Sequence, residues 1–81
     1  SSVCYPSEAE VIQALKEGAG VIGAEEGHIL AIVPVPDEYK NQGYQFYILD
    51  SARGHSGAYR SVADANRVVK GNLSFIAIIR P

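Results

Sequence analysis

The sequence GHILAIVPV, residues 27–35, predicts the main strand of the protein. After His28 both alternating sets of side chains are apolar, which is typical of a strand covered on both faces. Pro34 and Pro36 end the backbone pairing, because proline has no N–H to donate to a neighbouring strand. The stretch therefore predicts a strand over 28–35 in the centre of a sheet, with a histidine at its first position.

The residues before this strand predict a helix and a short strand. Ser7 and Glu10 have the spacing of a capping box, in which each side chain satisfies a free backbone N–H at the start of a helix. Apolar residues then recur with helical spacing, and Gly18 offers a left-handed stop. We expect a helix over 8–17 and a strand over 21–24.

The residues after it predict a hairpin, a second helix and a last strand. Residues 37–43 are polar and loop-like, whereas 44–51 are rich in strand-favouring aromatic and branched side chains. Ser61 caps a helix expected over 61–70, which Gly71 ends, and 73–79 is a final apolar strand. The predicted class is α+β, one antiparallel sheet with two helices in the order α-β-β-β-α-β.

The composition restricts the classes of function. Residues 1–81 have room for a single small domain, and 47% apolar with 20% charged residues predicts that it folds. The formal charge is −2 and the seven basic residues are scattered, so nucleic acid is not an expected partner. No run is long enough for a membrane span, and we expect a soluble protein of undecided compartment, either cytoplasmic or secreted.

The hairpin is expected to bring a histidine and a carboxylate together. If its loop turns symmetrically about Tyr39, His28 faces Asp50 on one side of the sheet, where Cβ atoms lie roughly 5 Å apart. A carboxylate at that distance would fix the tautomer of the ring, as in the orientation of a general base. A slip of one residue would instead place Asp50 on the other face.

The order of these features resembles the C-terminal half of papain-like thiol hydrolases. The resemblance covers residues 8–79 and rests on the Gly-His strand, on the segment YILDSARG at 47–54, and on VIQALKEGAGVI at 11–22, which is similar to the helix and strand before the His strand of C39-type peptidases. The group also includes NlpC/P60-type amidases and papain-fold toxins or effectors. The resemblance implies acyl transfer or deamidation at an amide bond of a protein or peptide, with His28 as base and Asp50 orienting it.

The nucleophile of such an enzyme is a cysteine at a helix N-terminus, where the helix dipole favours the thiolate. Cys4 is the chain's one cysteine, but it precedes the Ser7-capped helix and stands only 24 residues before His28. Three interpretations remain open. Cys4 is the nucleophile, or it is an ordinary thiol, or residues 1–81 are a fragment whose nucleophile lies in a missing N-terminal segment or a partner chain.

Two other functions are compatible with the same residues. The first is a non-catalytic binding or regulatory module of this fold, in which the His–Asp pair is structural. The second is a small ribonuclease toxin using His28, Asp50, Arg53, His55 and Tyr59, which the acidic charge balance disfavours. No cofactor is predicted, and no metal either, because His28, His55 and Asp50 lack the spacing of a zinc site.

Overall fold

The computed structural model describes residues 2–81 as one antiparallel six-stranded sheet with two helices. The strands lie in the order β1-β6-β2-β3-β4-β5, so that β2 and β3 occupy the centre. The bounds of the elements are β1 Ser2–Cys4, α1 Glu8–Lys16, β2 Gly20–Glu25, β3 His28–Val33, β4 Phe46–Leu49, β5 Gly57–Tyr59, α2 Val62–Ala65 and β6 Ser74–Ile79. The predicted α+β class, with an antiparallel sheet and two helices, is confirmed.

The first helix forms as its sequence predicts. The Ser7 hydroxyl accepts a hydrogen bond from the backbone N–H of Glu10 at 3.2 Å, and the Glu10 carboxylate accepts one from the backbone N–H of Ser7 at 2.9 Å. Gly18, with φ at +88°, adopts the left-handed conformation that ends the helix. The capping box and the glycine thus set both ends of α1.

The second helix is shorter than predicted, since it ends at Ala65 and continues as turns. Ser61 caps it as expected by accepting a hydrogen bond from the backbone N–H of Asp64 at 3.1 Å. At the far end, the backbone N–H of Lys70 donates to the buried carboxylate of Glu25 at 2.7 Å. A tertiary hydrogen bond thereby replaces the helical bond that would have carried α2 to residue 70.

The pairing of β3 with β4 differs from the predicted register by two residues. Ile32 lies opposite Ile48 and Ala31 opposite Leu49, so the numbers of facing residues add up to 80. A hairpin symmetric about Tyr39 would make them add up to 78. The connection contains a 3-10 turn at Asp37–Tyr39 and a left-handed Asn41, which make it asymmetric about Tyr39. A shift of two residues keeps every side chain on its predicted face, because side chains alternate with period two.

Two strands were not predicted. β1 pairs with β6 at one edge of the sheet, and β5 pairs with β4 at the other. Both have only three residues, too few to show an alternating pattern, and Gly57 opens β5 within a glycine-containing segment that reads as a loop. The predicted sheet therefore lacked both of its edges.

The core lies on one face of the sheet. Buried residues of both helices and of the turns after α2 join one apolar cluster with the strand residues of that face, among them Leu30, Ile32, Phe46, Ile48 and Ile78. Both helices lie on this side; on the other face Tyr39 of the β3–β4 connection packs against Tyr47, while Ile29 is 65% exposed. The expectation that both faces of β3 are covered is wrong, since the helices pack on the same side.

Candidate functional site

The site begins with a hydrogen bond between the start of β3 and the end of β4. Nε2 of His28 lies 2.7 Å from Oδ1 of Asp50, so the predicted contact forms even though the register differs. If the pairing of β3 with β4 is continued by one residue, Asp50 lies opposite Leu30. His28 is then the diagonal neighbour of Asp50 on the same face of the sheet. Diagonal pairs stay within reach of a long side chain such as imidazole.

The Asp50 carboxylate is fully buried and held by its own loop. Its Oδ1 accepts the bond from His28 and a second one from the backbone N–H of Arg53 at 3.2 Å, while its backbone N–H donates to the Ser56 hydroxyl at 2.7 Å. Burial by itself raises the pKa of Asp50, but the His28 bond and the backbone amides outweigh burial and lower it below its usual value. Asp50 is therefore an ionised acceptor, which places a proton on Nε2 of His28.

The remaining nitrogen of His28 is available for chemistry. Among residues 2–81, no group donates to or accepts from its Nδ1, and 23% of the His28 side chain is exposed. A neutral imidazole with Nε2–H held by a carboxylate has its lone pair on Nδ1. This arrangement can accept a proton from a group that approaches Nδ1 from outside.

A second buried carboxylate, Glu25, lies beside this pair. It ends β2 and is opposite His28 across the two-residue turn, where Gly27 has φ at +67°. Its Oε1 accepts from Nη1 of Arg53 at 3.1 Å and from Nδ1 of His55 at 3.2 Å. Burial by itself raises the pKa of Glu25, but the Lys70 amide, Arg53 and His55 together lower it.

Sequence reasoning did not identify Glu25 as a site residue. The signal was present, because Val21, Gly23 and Glu25 share one face of a strand and the first two positions are buried in the core. A carboxylate that continues an apolar face must find buried partners. Glu25 finds them in Arg53, His55 and the amide of Lys70.

Arg53 connects the two ends of the cluster. Its guanidinium donates to Glu25 and, at 2.7 Å, to the backbone carbonyl of Glu26, while its own backbone N–H donates to Asp50. The turn before His28 and the loop after Asp50 are thereby held together by one side chain. This link fixes the distance between the histidine and its carboxylate.

The five residues of the ribonuclease alternative do lie together. However, the guanidinium of Arg53 and Nδ1 of His55 are directed at Glu25, and the Tyr59 hydroxyl donates to the carbonyl of His55 at 2.7 Å. Groups that would bind a phosphate are thus already bonded to buried carboxylates and backbone. The arrangement does not favour a nucleic-acid site.

Three donor groups of the cluster could hold a metal ion. One ligand atom from each of Glu25, Asp50 and His55 lies within 4.8 Å of the others, and Oδ2 of Asp50 is 3.3 Å from Nδ1 of His55. The guanidinium of Arg53 is hydrogen-bonded to the same Glu25 oxygen that contacts His55. The positive charge of Arg53 already neutralises part of the negative charge of the two carboxylates and repels a cation. It therefore disfavours metal binding.

Cys4 lies away from this cluster. Cys4 of β1 lies opposite Ala77 of β6. In the same row across the sheet, Ala77 lies opposite Ile22 of β2, and Ile22 lies opposite Ala31 of β3. Three strand spacings separate Cys4 from β3, about 14 Å, and these facing positions are on the side of the sheet without helices, opposite to the His28 ring. The structure brings together His28 and Asp50 but not Cys4.

A cavity of about 400 Å³ lies at the other end of β3, where Leu15, Pro34, Lys40 and Tyr44 line it. His28 opens the strand and Pro34 follows its last residue, so the length of β3 separates the cavity from the cluster. The cavity is therefore separate from the histidine cluster.

Comparisons of the chain with models of known families, with curated proteins and with solved structures find no match. In residues 2–81, neither helix has the length and hydropathy needed to cross a membrane.

Proposed function

We propose that this chain supplies the His–Asp half of a papain-like thiol hydrolase that acts on amide bonds of proteins or peptides. The proposal is supported by the arrangement of the two ring nitrogens of His28. His28 is held by an ionised carboxylate through Nε2, and its partly exposed Nδ1 has no partner among residues 2–81. A base prepared for an external proton donor has this arrangement.

In the proposed reaction, Nδ1 of His28 takes the proton of a cysteine thiol. The thiolate attacks the amide carbonyl carbon, the C–N bond breaks, and the imidazolium returns the proton to the departing amine. Water, deprotonated by the same nitrogen, then hydrolyses the thioester and restores the thiol. Asp50 stays ionised throughout and stabilises the imidazolium, as the carboxylate of a Ser-His-Asp triad does.

Because Cys4 lies about 14 Å from β3 and on the other face, the proposal assigns the thiol to a group outside residues 2–81, in another segment or a partner chain. The same separation favours a second candidate, a binding or regulatory module without catalysis. In that case the His28–Asp50 bond serves only to join two strand ends. The two functions differ in whether His28 is needed for amide hydrolysis.

The test uses the complete product of the gene and a mixed peptide library, with cleavage followed by mass spectrometry. We expect hydrolysis that iodoacetamide abolishes, that His28→Ala reduces by at least about 100-fold, and that Cys4→Ser leaves intact. Circular dichroism would confirm that each variant folds. Loss of activity in Cys4→Ser would assign the nucleophile to Cys4 and keep the reaction class.

Two outcomes contradict the hydrolase proposal. The first is the absence of any amide hydrolysis by the folded wild-type protein, and the second is hydrolysis that persists in His28→Ala. The first outcome favours the non-catalytic module, because it leaves the His–Asp pair with a structural role alone.

A further inference from the structure

The two oxygens of the Asp50 carboxylate have different surroundings. Oδ1 accepts hydrogen bonds from Nε2 of His28 and from the backbone N–H of Arg53. Oδ2 is buried, and among residues 2–81 no group makes a hydrogen bond to it. A buried carboxylate oxygen without a donor is costly, because the charged group has lost its hydration. The orientation of Asp50 therefore depends on what lies beside Oδ2.

Nδ1 of His55 lies beside this oxygen. It is 3.3 Å from Oδ2 of Asp50 and 3.2 Å from Oε1 of Glu25. Both carboxylates are ionised, since the pKa of each is lowered, so a lone pair on Nδ1 would face two negative charges. The proton of a neutral His55 ring is therefore on Nδ1, where the N–H donates to Glu25 and has its positive end close to Asp50.

The loop between β4 and β5 holds His55 in this place. The backbone N–H of Asp50 donates to the Ser56 hydroxyl at 2.7 Å, and the backbone N–H of Gly54 donates to the carbonyl of Asp50 at 3.2 Å. The Tyr59 hydroxyl donates to the carbonyl of His55 at 2.7 Å. These three bonds close the loop on itself, so the ring of His55 is kept beside the carboxylate of Asp50.

The other donors of the cluster are directed elsewhere. The guanidinium of Arg53 donates to Glu25 and to the carbonyl of Glu26, and the backbone N–H of Lys70 donates to the second oxygen of Glu25. One oxygen of Glu25 lies within 4.8 Å of one oxygen of Asp50. Without the N–H of His55, these two negative charges would repel each other with no donor between them.

We propose that His55 is a positioning residue for the proposed base. Its Nδ1–H lies between the carboxylates of Glu25 and Asp50 and keeps Asp50 turned with Oδ1 toward His28. His28 in turn keeps its proton on Nε2 and its lone pair on Nδ1. The effect of His55 on catalysis rests on the proposed function, whereas its effect on the tautomer of His28 does not.

The first test needs no substitution. In nitrogen NMR of the histidine-labelled wild type, at a pH where the rings are neutral, we expect the Nδ1–H tautomer for His55 and the Nε2–H tautomer for His28. An Nε2–H tautomer of His55 overturns the proposal, because Nδ1 would then have no proton to place between the carboxylates.

Two substitutions separate the N–H of His55 from its ring. His55→Phe retains a ring without a donor, whereas His55→Asn places an amide N–H near the position of Nδ1. Both retain the backbone amide of His55, which also lowers the pKa of Asp50. In His55→Phe we expect the ratio of the Nε2–H to the Nδ1–H tautomer of His28 to fall at least about tenfold, the equivalent of one hydrogen bond to a charged group. His55→Asn should restore most of it.

The same variants are then assayed for amide hydrolysis in the complete product of the gene. We expect kcat to fall at least about tenfold in His55→Phe with KM unchanged, because a positioned base acts in the transition state, and to recover in His55→Asn. Ser51→Ala, at an exposed position of the same loop, is the control and should change neither kcat nor the tautomer ratio. Circular dichroism would confirm that each variant folds.

The outcomes distinguish this proposal from the proposed function. An unchanged tautomer ratio or an unchanged kcat in folded His55→Phe overturns the positioning role and leaves the hydrolase in place. Equal losses in His55→Phe and His55→Asn overturn it as well, because they attribute the effect to packing of the ring. If the wild type hydrolyses no amide, the proposed function fails, and the tautomer ratios alone decide whether His55 positions Asp50.

Discussion

At the scale of single residues, the chemistry of His28 depends on which ring nitrogen carries the proton. Asp50 is ionised and accepts from Nε2, so we expect nitrogen NMR to show the Nε2–H tautomer at a pH where the ring is neutral. Asp50→Ala removes the acceptor and should give a mixture of both tautomers. Asp37→Ala, which removes an exposed carboxylate, should not change the spectrum. An Nδ1–H tautomer in the wild type would contradict the orientation by Asp50.

Tyr59 reports on the charge of the same cluster. Burial is the main cause that raises its pKa, and the negative charges of Asp50 and Glu25 add to the effect. In a titration followed by the ultraviolet absorbance of tyrosinate, we expect a step above about pH 10 that Tyr59→Phe removes. Tyr5→Phe, which changes an exposed tyrosine, should retain that step. If the step persisted in Tyr59→Phe, the tyrosine with the raised pKa would be a different one.

At the scale of elements, β2 must approach both β6 and the core closely at Gly23. A Cβ added there would lie 2.7 Å from Cδ1 of the fully buried Ile32 and 3.2 Å from the carbonyl oxygen of Ser74. We expect Gly23→Ala to lower the free energy of unfolding by about 1 to 3 kcal/mol, measured by urea denaturation. Gly20→Ala in the same strand meets nothing within 4 Å and should change it by less than about 0.5 kcal/mol.

The crowding at Gly23 has a second test. Ile32→Val removes Cδ1, the nearest atom, so its cost should be smaller in the Gly23→Ala background than in the wild type. If the effects of the two substitutions on the free energy of unfolding were strictly additive, the loss of stability in Gly23→Ala would come from the contact with the carbonyl of Ser74 alone.

How far the sequence predicts these elements depends on whether the signal is local. The capping box of α1 and the apolar run of β3 are local patterns, and both elements form where predicted, although β3 ends at Val33 and only one of its faces is buried. The His28–Asp50 contact follows from the faces of two strands, which an even shift in register preserves. The length of α2 is not local, because Glu25 binds the amide of Lys70 from 45 residues away.

The cluster of Glu25, His28, Asp50, Arg53 and His55 likewise depends on contacts between distant parts of the chain. Glu25 lacks a sequence motif, and its role follows from the turn that places it opposite His28 and from the loop that brings Arg53 and His55 to it. The side of the sheet without helices was missed for a related reason. An apolar run reveals that both sides of a strand are hydrophobic, but it does not reveal which side the helices cover.

At the scale of the whole molecule, the two buried carboxylates tie stability to pH. Glu25 and Asp50 have lowered pKa values in the folded protein, so the unfolded chain binds protons that the folded chain does not. Stability therefore rises with pH in this range. Their contribution is complete above the ordinary carboxyl range of about pH 4 to 4.5, and it is lost as the pH falls through the lower folded-state values.

The corresponding measurement is urea denaturation at a series of pH values from about 2 to 7, which spans the range in which both carboxylates take up protons. We expect the free energy of unfolding to be nearly constant at the upper end and to fall below about pH 4. Glu25→Gln removes one titrating group and should make the fall shallower, because its amide cannot take up the proton. Glu26→Gln, at the exposed neighbouring position, should leave the profile as in the wild type. A profile unchanged in Glu25→Gln would mean that Glu25 does not couple protonation to folding.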